Sequence, residues 1–295
     1  MPAGATRRPA CGPFGPGRAR PSEEQAVTVL RSILFQIAFY VATTLYLLIL
    51  LPLLPFISRR TLWRVGVLNW AATNCWLLRV IAGTRAEFRG LENIPEGPFF
   101  IAAKHQSAWE TFALLPLFSD TTFILKQELM RIPVFGWFAA KAQMIPVDRK
   151  GGSSALRAMT RRAREDAAEG RQILIFPEGT RRPPGAPPAY KFGVAHIYSS
   201  LGVPCLPVAL NSGLYWPRRA LMLRPGTIRV EILPPIPAGL GRAAFLARLQ
   251  HDIEGASDRL LEQGLAELGE RAPEELKQRA AAAASSPLST PVENS

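Results

Sequence analysis

The segment FFIAAKHQSAWET, Phe99–Thr111, joins five apolar residues to a polar stretch that begins at Lys104. A short apolar run that ends at polar residues is typical of a buried strand. Similar runs recur through the middle of the chain, with helical patterns between them. We therefore predict an α/β domain with a mostly parallel sheet flanked by helices. The predicted strands are Ala86–Arg89, Phe99–Ala103, Thr121–Leu125, Ile145–Val147, Ile173–Phe176, Cys205–Leu210 and Thr227–Leu233, and the predicted helices are Ala108–Phe118, Ser153–Glu169, Gly193–Leu201 and Gly241–Leu265.

Polar residues follow two of the predicted strands. KHQSAWET, Lys104–Thr111, follows the first of them, and PEGTRR follows the strand ILIF, which starts at Ile173. Sites in parallel α/β sheets gather beyond the carboxyl ends of the strands. Gly179 allows a tight turn, and Arg181 offers a planar set of donors suited to phosphate. The alternative is an ordinary strand-to-loop turn with a surface arginine.

His105 and Glu110 form the other candidate pair. An imidazole with a neighbouring carboxylate is the combination that general-base catalysis on a hydroxyl requires. On a regular helix, positions i and i+5 point about 140° apart. The two side chains can therefore meet only if His105 lies in the loop and Glu110 in the first helical turn. The alternative is a capping box from Ser107 to Glu110, in which the carboxylate only secures the helix start.

Two apolar segments precede the predicted sheet. Residues 33–57 carry no charge, and as a helix they would be about 37 Å long, enough to cross a hydrocarbon core of roughly 30 Å. Residues 62–83 are apolar and rich in tryptophan. We predict a membrane-embedded helical hairpin that enters one leaflet and returns, with Pro52 and Pro55 interrupting the first helix near its end. A single span and a buried pair of core helices are the alternatives. Arginines flank the first segment on both sides, so charge does not decide its orientation.

Composition narrows the class of protein further. Of 295 residues, 35 are Lys or Arg and 23 are Asp or Glu, a formal net charge of +12, and 48% are hydrophobic. This excludes a wholly disordered chain and favours an anionic membrane or a phosphorylated substrate over nucleic acid. The histidines are isolated and the three cysteines are widely spaced, so we predict neither a metal site nor a disulfide framework.

Four blocks together resemble the glycerophospholipid acyltransferase family, most closely the bacterial 1-acyl-sn-glycerol-3-phosphate acyltransferases. His105 with Glu110 is similar to the family's H-x4-D block, with glutamate in place of the usual aspartate. The others are KQELMRIPVFG from Lys126, followed by IPVDR, then FPEGTR from Phe176, and finally VPCLPV from Val203. The resemblance covers roughly residues 84–240.

The resemblance implies acyl transfer from an acyl thioester, either acyl-CoA or acyl carrier protein, to the sn-2 hydroxyl of 1-acylglycerol 3-phosphate, giving phosphatidate. No further cofactor is implied. His105 would be the general base, Glu110 would orient it, and backbone amides near Ser107–Trp109 would stabilise the oxyanion. The residues implied to bind the acceptor and its phosphate are Glu178, Gly179, Thr180, Arg181, Lys126 and Arg149.

The resulting organisation has four parts: a disordered tail (1–24), membrane-embedded helices (25–83), an acyltransferase domain (84–265) and a helical, low-complexity tail (266–295). We expect the protein in the cytoplasmic membrane with its catalytic domain on the cytoplasmic face, in contact with membrane lipids and without nucleic acid.

Alternative acceptors are glycerol 3-phosphate, dihydroxyacetone phosphate and a lyso-ornithine lipid. A non-catalytic membrane lipid-binding protein is the alternative from another class, and the presence of His105 argues against it.

Overall fold

The computed structural model describes residues 23–148 and 151–284. The predicted N-terminal tail lies outside these ranges up to residue 22, as does the end of the predicted C-terminal tail from residue 285. The described helices are α1 (Glu23–Leu50), α2 (Arg59–Ala82), α3 (Glu110–Ala113), α4 (Phe135–Lys141), α5 (Gly152–Ala168), α6 (Gly193–Leu201), α7 (Ser212–Tyr215), α8 (Arg242–Leu268) and α9 (Glu274–Ala284).

Seven described strands form one sheet. They are β1 (Thr84–Arg89), β2 (Phe100–Ala103), β3 (Thr121–Lys126), β4 (Ile145–Val147), β5 (Gln172–Ile175), β6 (Cys205–Leu210) and β7 (Gly226–Ile232). Their order is β1-β7-β6-β2-β5-β3-β4. Every neighbouring pair is parallel except β6 with β7. The predicted mostly parallel α/β sheet is therefore confirmed, and each observed strand lies within two residues of its predicted bounds.

The predicted helix Ala108–Phe118 is wrong in its extent. The structure has one α-helical turn, α3, followed by a separate 3-10 turn at Leu115–Leu117. Pro116 explains the break, because it has no amide hydrogen to donate and its ring would clash with the carbonyl of Phe112 in a continuing α-helix. The residues after His105 consequently form a short compact segment.

The sheet is covered on both faces. In β2, Ile101 and Ala103 pack into one hydrophobic cluster, and Phe100 and Ala102 pack into the other. The second cluster contains the inner faces of α5, α6 and α8. This two-sided burial explains why β2 is uninterrupted in its apolar character, as is usual for a central parallel strand.

Helices α1 and α2 form the predicted hairpin and pack against the first face of the sheet. The two helices are antiparallel, since Trp70 donates to Thr43 at 3.0 Å and Arg31 donates to the carbonyl of Ile81 at 2.6 Å. Phe35 is fully buried and meets Trp216 edge to face at 5.2 Å. Both helices are long and apolar enough to cross a membrane. The hairpin is thus joined to the sheet along one side, and large apolar side chains are exposed along its other side: Val27, Leu30, Ile37, Val41, Leu48, Val65, Trp76 and Val80.

Candidate active site

The carboxyl ends of β2, β5, β3, β4 and β6 lie at one edge of the sheet, because these strands are parallel to one another. His105 follows β2 and Glu178 follows β5, on neighbouring strands. The His105 N–H donates to Glu178 Oε2 at 3.0 Å, and the Arg182 N–H donates to the His105 carbonyl at 2.8 Å. The loop after β2 is therefore hydrogen-bonded directly to the loop after β5.

His105 and Glu110 are in contact in the way that the spacing requires. His105 lies in the loop and Glu110 is the first residue of α3, and His105 Nδ1 is 2.9 Å from Glu110 Oε1. The same Oε1 accepts the backbone N–H groups of Gln106 and Ser107, at 2.7 Å each. Glu110 is fully buried, whereas the His105 side chain keeps 14% of its surface exposed. A carboxylate in this position accepts the proton of Nδ1–H, which leaves Nε2 as the basic nitrogen.

Ser212 is a site residue that the sequence analysis missed. It begins α7, directly beyond the carboxyl end of β6, and its hydroxyl donates to Glu110 Oε2 at 2.7 Å. Gly213 N–H donates to the side-chain oxygen of Gln106 at 3.0 Å, which attaches the same turn to the loop after β2. The signal was available, because Asn211 and Ser212 are the polar residues that follow a predicted strand adjacent in the sheet.

Phe176 sets the plane of the imidazole. The two rings are stacked, with centroids 4.0 Å apart and an angle of 17° between their planes. Phe176 is the first residue of FPEGTR, so this motif provides an apolar contact for the His105 ring as well as a polar loop. Together with the hydrogen bond at Nδ1, the stacking restricts the His105 ring to one orientation.

A buried ion cluster lies beneath the two loops. Lys104 Nζ is 2.7 Å from both carboxylate oxygens of Glu254, which comes from α8, and 2.8 Å from Glu178 Oε1. Burial alone would lower the pKa of Lys104, but the two carboxylates outweigh it and raise that pKa. Burial raises the pKa of Glu178, and Lys104 opposes this shift only in part. Glu178 thus joins three elements below the surface, and Glu254 was not predicted from sequence.

The other residues of FPEGTR lie nearer the surface. Gly179 adopts a left-handed backbone with φ +66°, which L-residues other than glycine adopt at a cost. Thr180 is exposed, Arg181 is partly exposed, and the Arg181 carbonyl accepts from the Arg218 side chain at 3.1 Å. The loop therefore leaves a hydroxyl and a guanidinium accessible to solvent, and its next residue, Arg182, is hydrogen-bonded to the loop of His105.

Lys126 belongs to β3, on the far side of β5 from His105. Lys126 ends β3, is exposed, and pairs with Glu128 at 3.1 Å. Arg149 lies outside the described residues. Two of the backbone amides expected to stabilise an oxyanion are already engaged, since Ser107 N–H donates to Glu110 and Trp109 N–H donates to the Ser107 hydroxyl at 3.2 Å.

The chain is similar to known acyltransferases over most of its length. It is 43% identical, over 218 residues, to the 1-acyl-sn-glycerol-3-phosphate acyltransferase of Pseudomonas aeruginosa, an alignment that covers 74% of this chain and 83% of the relative. The chain belongs to the glycerophospholipid acyltransferase family. The profile of the family described as Acyltransferase matches residues 85–211 of this acyltransferase. The mouse 1-acyl-sn-glycerol-3-phosphate acyltransferase alpha is 27% identical over 68% of this chain and 71% of its own.

The fold of this acyltransferase has a solved counterpart. The crystal structure of the 1-acyl-sn-glycerophosphate acyltransferase of Thermotoga maritima matches it with a TM-score of 0.66 at 23% identity, covering 79% of this chain and 97% of that one. The family resemblance stated from sequence is therefore confirmed, together with the fold that it implied.

Proposed function

We propose that this acyltransferase transfers an acyl group from an acyl thioester to the sn-2 hydroxyl of 1-acylglycerol 3-phosphate, giving phosphatidate. The names of its bacterial and mammalian relatives support this acceptor. The observation that carries the proposal is the contact of 2.9 Å between His105 Nδ1 and Glu110 Oε1, with Glu110 buried and the His105 ring partly exposed. This arrangement leaves one basic nitrogen accessible to a hydroxyl at the edge of the sheet.

In the proposed reaction, His105 Nε2 removes the proton of the acceptor hydroxyl while that oxygen attacks the thioester carbonyl. The C–S bond of the tetrahedral intermediate then breaks, and the imidazolium returns its proton to the leaving thiolate. Glu110 stabilises the imidazolium and, with Ser212 on its second oxygen, is held in one position. The products are the ester and the free thiol.

Acceptor binding is assigned to the surface loop of FPEGTR and to its neighbours. Thr180 and Arg181 carry the polar side chains of this motif that reach solvent, and a guanidinium suits a phosphate monoester. Lys126 adds a cation at the end of β3, and Arg149, outside the described residues, stays a predicted phosphate contact. Glu178 is buried in an ion pair, so we assign it to holding the two loops in register.

The hairpin supports a membrane location. A lysolipid keeps its tail in a bilayer, and the hairpin exposes apolar side chains on a segment packed to the catalytic sheet. We propose that the hairpin is embedded in the cytoplasmic membrane, with the catalytic domain on the cytoplasmic face. There it would meet either acyl-CoA or acyl carrier protein as donor.

The test is thiol release by the detergent-purified chain, with and without 1-acylglycerol 3-phosphate. We expect acceptor-dependent release from acyl-CoA or from acyl carrier protein, with phosphatidate as product. His105→Ala should lower the rate at least a hundredfold, because it removes the general base. His251→Ala, a half-buried histidine of α8, is the matched control and should retain activity. Acceptor-independent release, or equal rates in the two variants, would contradict the assignment.

A further inference from the structure

An exposed apolar surface lies beside the site and outside the hairpin. Its four large side chains are Leu129, Ile132, Phe135 and Trp137, with exposed fractions of 37%, 47%, 40% and 56%. We call them the 129–137 patch. They belong to the 3-10 turn after β3 and to α4, the region of the KQELMRIPVFG motif. Clustered exposed apolar groups of this kind mark interaction surfaces on proteins.

The backbone of the 129–137 patch adopts a strained conformation, and these side chains are exposed in it. Val134 has φ +65°, a conformation that a β-branched residue rarely adopts. The Gly136 N–H donates to the Ile132 carbonyl at 2.8 Å, and a Cβ at Gly136 would lie 2.0 Å from the Met130 carbonyl oxygen. The turn is therefore too tight for any residue but glycine at position 136. A strained turn that exposes apolar groups beside a site points to a function for that exposure.

The patch is continuous with the turn of the hairpin. Leu54 in the hairpin turn and Leu62 in the first turns of α2 form a small cluster with Ala142, and Phe138 of α4 packs against it. Trp137, next to Phe138, is on the outside of the same helix. Phe56 in the hairpin turn is 86% exposed. The apolar surface of the hairpin thus extends across α4 toward the end of β3.

Cations flank and interrupt the apolar residues along the chain. Lys126 and Arg131 are exposed, and Lys141 is partly exposed. The same segment, residues 126–141, contains one acidic residue, Glu128. Apolar and aromatic side chains flanked by cations are typical of segments that lie in the interface of an anionic bilayer. A bilayer interface satisfies both parts of this surface, because tails cover the apolar groups and headgroups pair with the cations.

We propose that the 129–137 patch is a second membrane-contacting surface that inserts into the interface of an anionic bilayer. This inference rests on the proposed membrane location of the hairpin. A second membrane contact at this place would explain how the acceptor reaches the site. Leu129 is three residues after Lys126, which ends β3, and β3 is the neighbour of β5, which leads into the FPEGTR loop. A lysolipid would then pass from the bilayer to the loop without crossing open water.

The first experiment measures the depth of Trp137 in the bilayer. The full chain and its Trp137→Phe variant are reconstituted in phosphatidylcholine–phosphatidylglycerol vesicles, with or without bromine on the lipid tails. The difference between the two chains isolates the fluorescence of Trp137. We expect tail bromines to quench it and aqueous iodide not to. Quenching by iodide alone would overturn the proposal. Bromine quenching that is absent at high protein-to-lipid ratio and appears only on dilution into excess lipid would also overturn it, because a second copy of the chain would then cover the patch.

The second experiment compares rates on anionic vesicles and on detergent micelles. We expect Ile132→Ser to lower the vesicle-to-micelle ratio roughly tenfold, because an apolar side chain of this size leaves the bilayer. Leu91→Ser is the matched control, since Leu91 is 46% exposed and follows β1 at the opposite edge of the sheet. Equal ratios in the two variants would overturn the proposal. The quenching result requires no catalysis, so a chain that is quenched but inactive would contradict the proposed function alone.

Discussion

Among the described residues, Lys104 is the only cation of the buried cluster, and replacing it with methionine removes that charge. Lys104 Nζ lies within 2.8 Å of three carboxylate oxygens from Glu178 and Glu254, and the Lys104 side chain is 2% exposed. The variant keeps the apolar stem but leaves two buried carboxylates without their counter-ion. Removing one partner of a buried ion pair costs about 3–5 kcal/mol. For a domain of this size, that corresponds to a loss of roughly 10 °C in the thermal midpoint.

The stability of the Lys104→Met variant should also change with pH in a direction that follows from the pKa of the buried carboxyl. Burial already raises the pKa of Glu178, and Lys104 opposes that shift, so without Lys104 the pKa of the Glu178 carboxyl in the folded state lies further above its unfolded value. The folded state then binds more protons than the unfolded state, so the stability of Lys104→Met should rise as the pH falls from 8 to 5. The double variant Lys104→Met with Glu254→Gln removes one of the two charges and should recover part of the lost midpoint.

The assay is thermal unfolding followed by circular dichroism in detergent, at several pH values between 5 and 8. Lys277→Met is the matched control, because Lys277 is 42% exposed and its pair with Glu274 is on the surface. Surface pairs contribute little, so this variant should unfold near the wild-type midpoint. A Lys104→Met midpoint equal to that of the control would refute the reasoning, as would a double variant no more stable than the single one.

Three other variants test separate features. Ser212→Ala removes the hydrogen bond to Glu110 Oε2 and should lower kcat about tenfold with little change in KM; an unchanged kcat in steady-state assays would contradict this role. Burial raises the pKa of Asp258 to about 6, so the folded state holds that proton where the unfolded state has lost it, and stability falls as the pH rises through this window. Asp258→Asn should therefore stabilise the chain above pH 6, by about 1 kcal/mol after allowing for its partial exposure, and not at pH 4; thermal midpoints across this range would show it. Gly179→Ala should lower the free energy of unfolding by about 1 kcal/mol through its left-handed φ of +66°, since its added Cβ meets nothing closer than 3.7 Å; denaturant titration measures the loss.

Local patterns were sufficient for most of the fold. The strands that contain Phe100 and Ile173 were predicted from short apolar runs, because a central parallel strand is buried on both faces and is therefore almost entirely apolar. The helix after Ala108 was predicted too long, because its apolar pattern outweighed the effect of Pro116. The hairpin was predicted from two long apolar segments and from the prolines at 52 and 55.

The contact between His105 and Glu110 was also within reach of the sequence, because the two residues are five positions apart and their contact depends only on where one short helix begins. The contacts of Ser212 with Glu110 and of Glu254 with Lys104 were not, since each joins residues more than 100 positions apart, and only the order of strands and the position of the C-terminal helix create them. The role of Glu178 was likewise decided by tertiary structure. The FPEGTR motif places a carboxylate at position 178. Only the tertiary structure shows that this carboxylate is buried against Lys104 and does not face solvent. Contacts within a few residues follow from local geometry, whereas contacts between distant segments exist only once the sheet has assembled.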